Sequence, residues 1–197
     1  HIAINMGAKL AQGEWFFIVD SDDYLTESAV RKIWEQLGPI KDNKQYAGVA
    51  GLKGKEDGTA WMSWYGKEKP HDLQIDLNRE EGYIDATSID YRYKYKIAGD
   101  RAEVIRTNLV RQYPFPKFEG EHFLSEAALW LRVAQKGYLF RWFPEVVYVA
   151  DYLEDGLSQN SKNLHKKNCQ GSCYIEKIFL NCRGIPLKER IKSTINY

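Results

Sequence analysis

The segment from Trp15 to Asp23 most constrains how this chain folds, because a run of five large apolar residues ends abruptly in three carboxylates around one serine. Such a run, with helical patterns on either side, predicts a strand buried on both faces, which is typical of a parallel sheet. In open α/β sheets, ligands bind beyond the carboxyl ends of such strands. We therefore expect the functional site directly after this strand.

The carboxylates at that position are Asp20, Asp22 and Asp23. Clustered carboxylates repel one another and are costly to desolvate unless a cation joins them. Hard oxygen ligands of this kind favour Mg²⁺ or Mn²⁺. Asp and Ser are also common where a strand turns toward a helix, so the pattern alone leaves a metal site and a simple turn both open.

Length and charge narrow the class of protein. A chain of 197 residues is long enough for one α/β domain with a substantial core. The formal net charge of +1 does not favour a nucleic-acid partner. Cys169, Cys173 and Cys182 lack the paired spacing of a metal site and are typical of reduced packing residues. Since no apolar run is long enough to span a membrane, we expect a cytoplasmic protein.

Apolar periodicity predicts alternating helices and strands, with one long surface loop over residues 53–71. Trp61, Trp64 and Tyr65 in this loop fit either a stacking platform for a glycan or a self-packed cluster. The predicted helices are 2–12, 27–37, 88–96, 107–112, 126–136, 164–180 and 187–195, and the predicted strands are 15–19, 46–52, 101–106, 138–143 and 146–152.

The second of these helices shows the clearest amphipathic pattern. Thr26 is its expected N-cap, and Gly38 ends it. Its expected buried stripe consists of Val30, Ile33, Trp34 and Leu37.

Two segments resemble the inverting glycosyltransferases of family two, which have the GT-A fold. Asn5 to Glu14, followed by the strand and Asp20-Ser21-Asp22-Asp23, resembles the middle of that domain. Ser125 to Arg132 resembles its acidic segment at the head of a helix. The resemblance implies an α/β fold of GT-A type, with a mixed, mostly parallel sheet flanked by helices. It assigns a partial GT-A domain to 1–158 and a C-terminal helical extension to 159–197.

The first residue suggests what is missing from this domain. His1 is not an initiator methionine, and the chain begins with a helix that a strand would normally precede. We therefore expect a fragment that lacks the N-terminal part of the domain, including the family's aspartate that recognises the nucleotide base.

The resemblance also assigns chemistry. Asp20 and Asp22 match the Asp-x-Asp motif that holds a divalent cation, Mn²⁺ or Mg²⁺, on the two phosphates of a nucleotide-sugar, and Asp23 shares this task or binds the sugar. Glu126 matches the catalytic base. At a helix N-terminus the dipole is expected to keep this carboxylate charged, so that it deprotonates an acceptor hydroxyl. Attack opposite the leaving group implies inversion.

The second motif departs from the family at two positions. The family more often has Asp where this chain has Glu126, and Ser125 replaces the preceding acid. Glu121 is therefore an alternative candidate for the base. Further candidates for contacts with the donor or acceptor are Asn5, Glu121, His122 and Trp130, although His122 also fits a surface position and Trp130 a core position.

The function implied by the resemblance is transfer of a sugar from a nucleotide-diphosphate sugar to a hydroxyl of a glycan or lipid-linked acceptor, as in bacterial surface polysaccharide synthesis. The alternative is a non-catalytic, transferase-like module that only binds a nucleotide or glycan. Lys188, Arg190 and Lys192 on the last predicted helix fit either peripheral contact with the inner face of the cell membrane or a solvated helix face.

Overall fold

The computed structural model describes residues 1–61, 63–64, 82–150, 164 and 166–195. Most of the predicted helices are present, with bounds that differ by a few residues. The helices are α1 (Ile2–Leu10), α2 (Ala29–Leu37), α3 (Ser88–Tyr93), α4 (Thr107–Gln112), α5 (Ala127–Gln135), α6 (Cys169–Leu180) and α7 (Leu187–Ile195).

The strands form one large sheet and a separate short pair. The strands are β1 (Trp15–Phe17), β2 (Tyr24–Leu25), β3 (Tyr46–Gly54), β4 (Ser63–Trp64), β5 (Ile84–Ala86), β6 (Ile97–Ala98), β7 (Arg101–Arg106) and β8 (Leu139–Val149). In the large sheet the strand order is β1-β7-β3-β8-β2, with β5 also paired to β8, and β4 pairs with β6 separately.

The sheet is mixed, as predicted, but its described pairings are mostly antiparallel. Only β3 and β8 pair in parallel, whereas β1, β2, β5 and β7 each pair antiparallel. The expectation of mostly parallel pairing is therefore corrected. It came from the family resemblance and from the apolar run that begins at Trp15. That run forms a half-buried strand at the sheet edge, with Val19 43% exposed beyond its end.

Helices cover both faces of the sheet. On one face, α1, α4 and α5 pack over Ala50, Ile105 and Phe140, and on the other face α2 packs over Val49 and Val147. Close strand packing depends on glycine at one position in β3, because a Cβ on Gly48 would lie 1.8 Å from the carbonyl oxygen of Val104.

The predicted stripe of α2 is only half correct. Ile33 and Leu37 are buried together with Ala29, but Val30 is 70% exposed and Trp34 is 59% exposed. The helix also begins later than predicted, after Ser28, while Thr26 donates its N–H to Val147 on β8. The buried face of the helix is therefore narrower than predicted and includes Ala29.

The last two predicted strands are one strand, β8. Its register with β3 shifts between the Ala50–Trp142 and Leu52–Val146 pairs. Pro144 lies in this irregular stretch, where its missing N–H breaks no regular ladder. The proline therefore marks a bulge and does not end the strand.

Several predictions fall partly or wholly outside the described residues. Much of the 53–71 loop does, including the side chains of Trp64 and Tyr65, as does the 158/159 domain boundary. Trp61 is described, and its indole N–H donates to the carbonyl of Ala150 at 2.8 Å. Among the described helices, none is long and apolar enough to cross a membrane.

Candidate active site

The strand order explains how the acidic segment reaches the centre of the sheet. Because β1 and β2 lie at opposite ends of the strand order, the chain from Phe17 to Tyr24 must cross the ends of β7, β3 and β8. The register places the end of β3 beside the start of β7, through the Leu52–Arg101 pair, and beside the end of β8. Polar side chains from all three strands therefore meet the acidic segment there.

A cleft of about 1170 Å³ opens at this end of the sheet. Its volume is slightly larger than the roughly 300–1,000 Å³ that is typical of small-molecule sites. Asp20, Asp22, Asp23 and Glu126 all line it. The fold thus brings together the two acidic motifs that the sequence singled out. Further polar and aromatic residues of the lining include Lys53, Tyr91, Arg101, Glu103, His122 and Trp130.

Tyr148 on β8 holds the acidic loop in place. Its side chain is fully buried, and its hydroxyl accepts the N–H of Asp20 at 3.0 Å and donates to the Asp23 carboxylate at 2.7 Å. Burial raises the pKa of the Tyr148 phenol, and the Asp23 carboxylate raises it further, so the O–H donor is retained. Asp23 therefore accepts a hydrogen bond from Tyr148 that holds the loop, and it also lines the cleft.

Asp22 is the loop carboxylate that remains available. It is exposed and has no hydrogen-bond or ion-pair partner among the described residues. Within those residues no group of three or more His, Cys, Asp or Glu side chains is placed to hold a metal ion. The donor set still fits Mg²⁺ or Mn²⁺ of the substrate-bridging kind, because such ions take one or two carboxylates and complete their shell with phosphates and water.

Glu126 lies directly before α5 with its side chain in the cleft. It is the N-cap residue, but its carboxylate makes no capping bond, and Ser125 Oγ instead accepts the N–H of Ala127 at 3.3 Å. Burial raises the pKa of Glu126, Lys53 opposes this rise, and Asp20 adds to it. The expected effect of the helix dipole, which favours the charged form, is therefore opposed by desolvation of the carboxylate.

Glu103 and Lys53 complete the polar lining and were not identified from the sequence. Burial, and then the charge of Glu126, raise the pKa of Glu103 to about 8. Lys53 lowers the pKa of both glutamates and lies 4.3 Å from the ring centroid of Tyr148. The cleft therefore contains carboxyl groups in two environments. The aspartates of the loop are mostly exposed to water, whereas Glu103 and Glu126 are desolvated and lie near the positive charge of Lys53.

A signal for Glu103 was present in the sequence. It is an acidic residue inside a predicted strand between apolar neighbours, and such a carboxylate needs a special environment. The roles of Lys53 and Tyr148 have no comparable signal, since each depends on the register of β3 with β8.

Two of the other candidate residues have structural roles. Asn5 uses both ends of its amide on the backbone of Phe115, with Nδ2 donating at 2.8 Å and Oδ1 accepting at 2.9 Å. Both oxygens of Glu121 accept backbone N–H groups of α6. Both residues therefore hold backbone segments in place, and a role of either one in ligand binding stays a prediction.

His122 and Trp130 do line the cleft. His122 is exposed. Trp130 is half-buried, and its ring meets Phe140 edge to face at 5.9 Å between centroids. His122 is therefore accessible to a ligand in the cleft, whereas most of the Trp130 side chain packs against the core.

Comparison with known proteins identifies the family. Residues 1–98 match the sequence profile described as Glycosyl transferase family 2. These residues, about half of the chain, belong to that family. The matched part includes the Asp20–Asp23 loop and Lys53, whereas Glu103 and Glu126 lie beyond it. No curated protein sequence matches the chain significantly.

The chain is also similar to crystal structures of residues 1–349 of TarS from S. aureus. The UDP-GlcNAc complex of TarS matches with a TM-score of 0.50 at 17% identity, over 96% of this chain and 49% of that chain. Another TarS structure matches with a TM-score of 0.48 at 16% identity, over 98% of this chain and 48% of that chain. The first similarity supports the predicted GT-A-type architecture. The chain described here spans about half the length of these TarS chains.

Proposed function

We propose that this protein is a metal-dependent, inverting glycosyltransferase that moves a sugar from a nucleotide-diphosphate donor to a hydroxyl of a glycan or glycolipid, of the kind used in bacterial surface polysaccharide synthesis. One observation carries the proposal. The Asp20–Asp23 loop and Glu126 come from distant parts of the sequence, yet they line the same cleft at the carboxyl end of β3 and β8.

The two acidic regions divide the work between leaving group and nucleophile. Asp22, with Asp20 beside it, would hold the divalent cation, which neutralises charge on the departing diphosphate. Glu126 takes the proton of the acceptor hydroxyl as that oxygen bonds to the anomeric carbon. The bond from this carbon to the diphosphate oxygen breaks, and its electron pair leaves with the nucleotide. Attack from the opposite face inverts the anomeric centre.

The raised pKa of Glu126 suits this role. A general base works best when its pKa lies near the working pH, so a pKa above the ordinary glutamate value favours proton transfer from a hydroxyl. Burial makes Glu126 a stronger base, and the nearby charge of Lys53 opposes this rise in its pKa. The position of Glu126 at the cleft wall leaves room for an acceptor in front of it.

The first test is donor binding and turnover. Because TarS was crystallised with UDP and with UDP-GlcNAc, these compounds are suitable first probes. We expect calorimetry to show UDP binding that depends on Mn²⁺ or Mg²⁺. We also expect slow hydrolysis of a UDP-sugar by water when no acceptor is present.

Matched variants then test the mechanism. Asp22→Ala and Glu126→Ala should each abolish turnover, with the circular dichroism spectrum unchanged. Glu119→Ala, at an exposed glutamate in the loop before Glu126, is the control and should keep full activity. Full activity in both cleft variants would reject the mechanism. Nucleotide binding without any turnover in the unaltered protein would favour the non-catalytic module.

A further inference from the structure

The loop that leads to Glu126 is attached to the start of α6 through one buried asparagine. Asn168 is 6% exposed, and its Oδ1 accepts the N–H groups of His122 and Phe123 at 2.9 and 3.0 Å. Its Nδ2 donates to the carbonyl of Leu164 at 2.7 Å. Both ends of the Asn168 amide therefore form hydrogen bonds with backbone groups. The two bonds to His122 and Phe123 hold the loop that leads to Glu126.

The loop also forms hydrogen bonds with the start of α6 through the side chain of Glu121. The two oxygens of its carboxylate accept the N–H groups of Gln170 and Gly171 at 2.7 and 2.8 Å. Desolvation opposes ionisation of Glu121, but the N–H groups of Gly171 and Gln170 outweigh it and lower the pKa of the carboxyl. A charged carboxylate at a helix N-terminus is also stabilised by the helix dipole.

The two elements are in close contact at Gly171. A Cβ on this residue would lie 3.2 Å from the carbonyl oxygen of Phe123 and 3.3 Å from both Glu121 Oε2 and Leu124 Cδ1. The loop and the helix therefore fit together without a gap. Since loop and helix are joined in both directions, a shift of either one breaks hydrogen bonds of the other.

We propose that Asn168 and Glu121 form a clamp that positions the proposed base, Glu126, at the cleft wall. This inference rests on the proposed function. Phe123 precedes Glu126 by only three residues, and the carboxylate of Glu126 makes no hydrogen bond of its own within the described residues. Its position must therefore come from the backbone. Both parts of the clamp lie beyond residues 1–98, so the family match assigns a role to neither.

Steady-state kinetics of the donor reaction test the clamp. Asn168→Ala frees two loop N–H groups, and we expect kcat to fall about 10- to 100-fold with the donor KM nearly unchanged. Asn168→Asp keeps the acceptor oxygen and should retain most of kcat. Glu121→Ala, at a less buried position, should repeat the loss of kcat. Asn181→Ala is the control, because Asn181 lies at the other end of α6 and its side chain bonds to Lys177.

Hydrogen exchange tests the clamp without any need for activity. We expect the amides of His122 and Phe123 to exchange faster in Asn168→Ala than in Asn181→Ala. Equal exchange in these two variants, unchanged kcat in Asn168→Ala, or an equal loss of kcat in Asn168→Asp would each overturn the proposal. An inactive but folded unaltered protein would overturn the proposed function and the kinetic part of this inference, while the exchange result would still decide whether the clamp exists.

Discussion

The carboxylates of the Asp20–Asp23 loop and those of Glu103 and Glu126 line the same cleft, but they differ in their exposure to water. Asp20 and Asp22 are exposed, and the loop is anchored by Tyr148. Glu103 and Glu126 are desolvated, and the pKa of each is raised. The same functional group therefore serves two purposes, with exposed carboxylates suited to a cation and desolvated ones suited to proton transfer.

The largest expected effect separates these two purposes. Glu126→Gln keeps the shape of the side chain but removes the base, so we expect kcat to fall about 10²- to 10⁴-fold with UDP affinity unchanged. Asp22→Asn should instead weaken the part of UDP binding that depends on Mn²⁺. Calorimetry and turnover assays measure the two effects. If Glu126→Gln weakened UDP binding as much as Asp22→Asn, the division between the two regions would be wrong.

The next effect concerns stability and pH at Glu103. The pKa of this carboxyl in the folded state, about 8, lies above its ordinary value of 4.5, so folding favours the protonated form. This stabilisation is complete below pH 4.5 and is lost as the pH rises through 8. Relative to Glu103→Gln, the free energy of unfolding of the unaltered protein should therefore decrease by a few kcal/mol across that interval.

Urea unfolding at a series of pH values measures this difference. Glu119→Gln, at an exposed glutamate, is the control and should follow the unaltered protein at every pH. A constant difference between the unaltered protein and Glu103→Gln would show that Glu103 does not titrate in this range.

A smaller effect is expected at Lys53, the cation that opposes both raised pKa values. Lys53→Met removes its charge, so the pKa of Glu126 should rise further. Because the base must be deprotonated to act, the acidic limb of the kcat/KM profile should move to higher pH. Lys55→Met is a suitable control, since Lys55 contacts the ring of Trp61 instead. An acidic limb at the same pH in both variants would exclude Lys53 from tuning the base.

The smallest effect is expected at the anchor of the exposed loop. Tyr148→Phe removes the donor to Asp23 and the acceptor for the N–H of Asp20, and we expect a loss of about 1 kcal/mol in stability. Thermal unfolding measures this loss. Tyr138→Phe is the control, because the Tyr138 hydroxyl has no hydrogen bond among the described residues. Equal stability of the two variants would mean that Tyr148 does not anchor the loop.

Local pattern was enough to locate β7 and most of the helices. The predicted strand 101–106 coincides with β7, and the predicted stop of α5 is confirmed by Gly137 at a φ of +79°. These features depend on neighbouring residues alone, through alternation of apolar side chains and the ability of glycine to adopt a positive φ.

Pattern failed where distant segments decide the outcome. The exposed face of α2 includes Trp34, because Ala29, Ile33 and Leu37 are the residues that pack against the sheet. Asn5 and Glu121 are polar residues next to functional segments, and the structure shows that they form hydrogen bonds with the backbones of Phe115 and α6. Sequence spacing gives no information on such partners.

By itself, the sequence determined the alternating α/β pattern, the aspartate cluster after an apolar strand, and Glu126 at the head of a helix. These follow from short-range chemistry: periodicity, turn residues and charge spacing. Only the tertiary structure decided that the two acidic motifs share one cleft, that Lys53 and Glu103 join them in its lining, and that burial raises the pKa of Glu126. The physical reason is that desolvation and charge coupling depend on which strands are neighbours in the sheet. The order of the strands cannot be inferred from any short segment of the sequence.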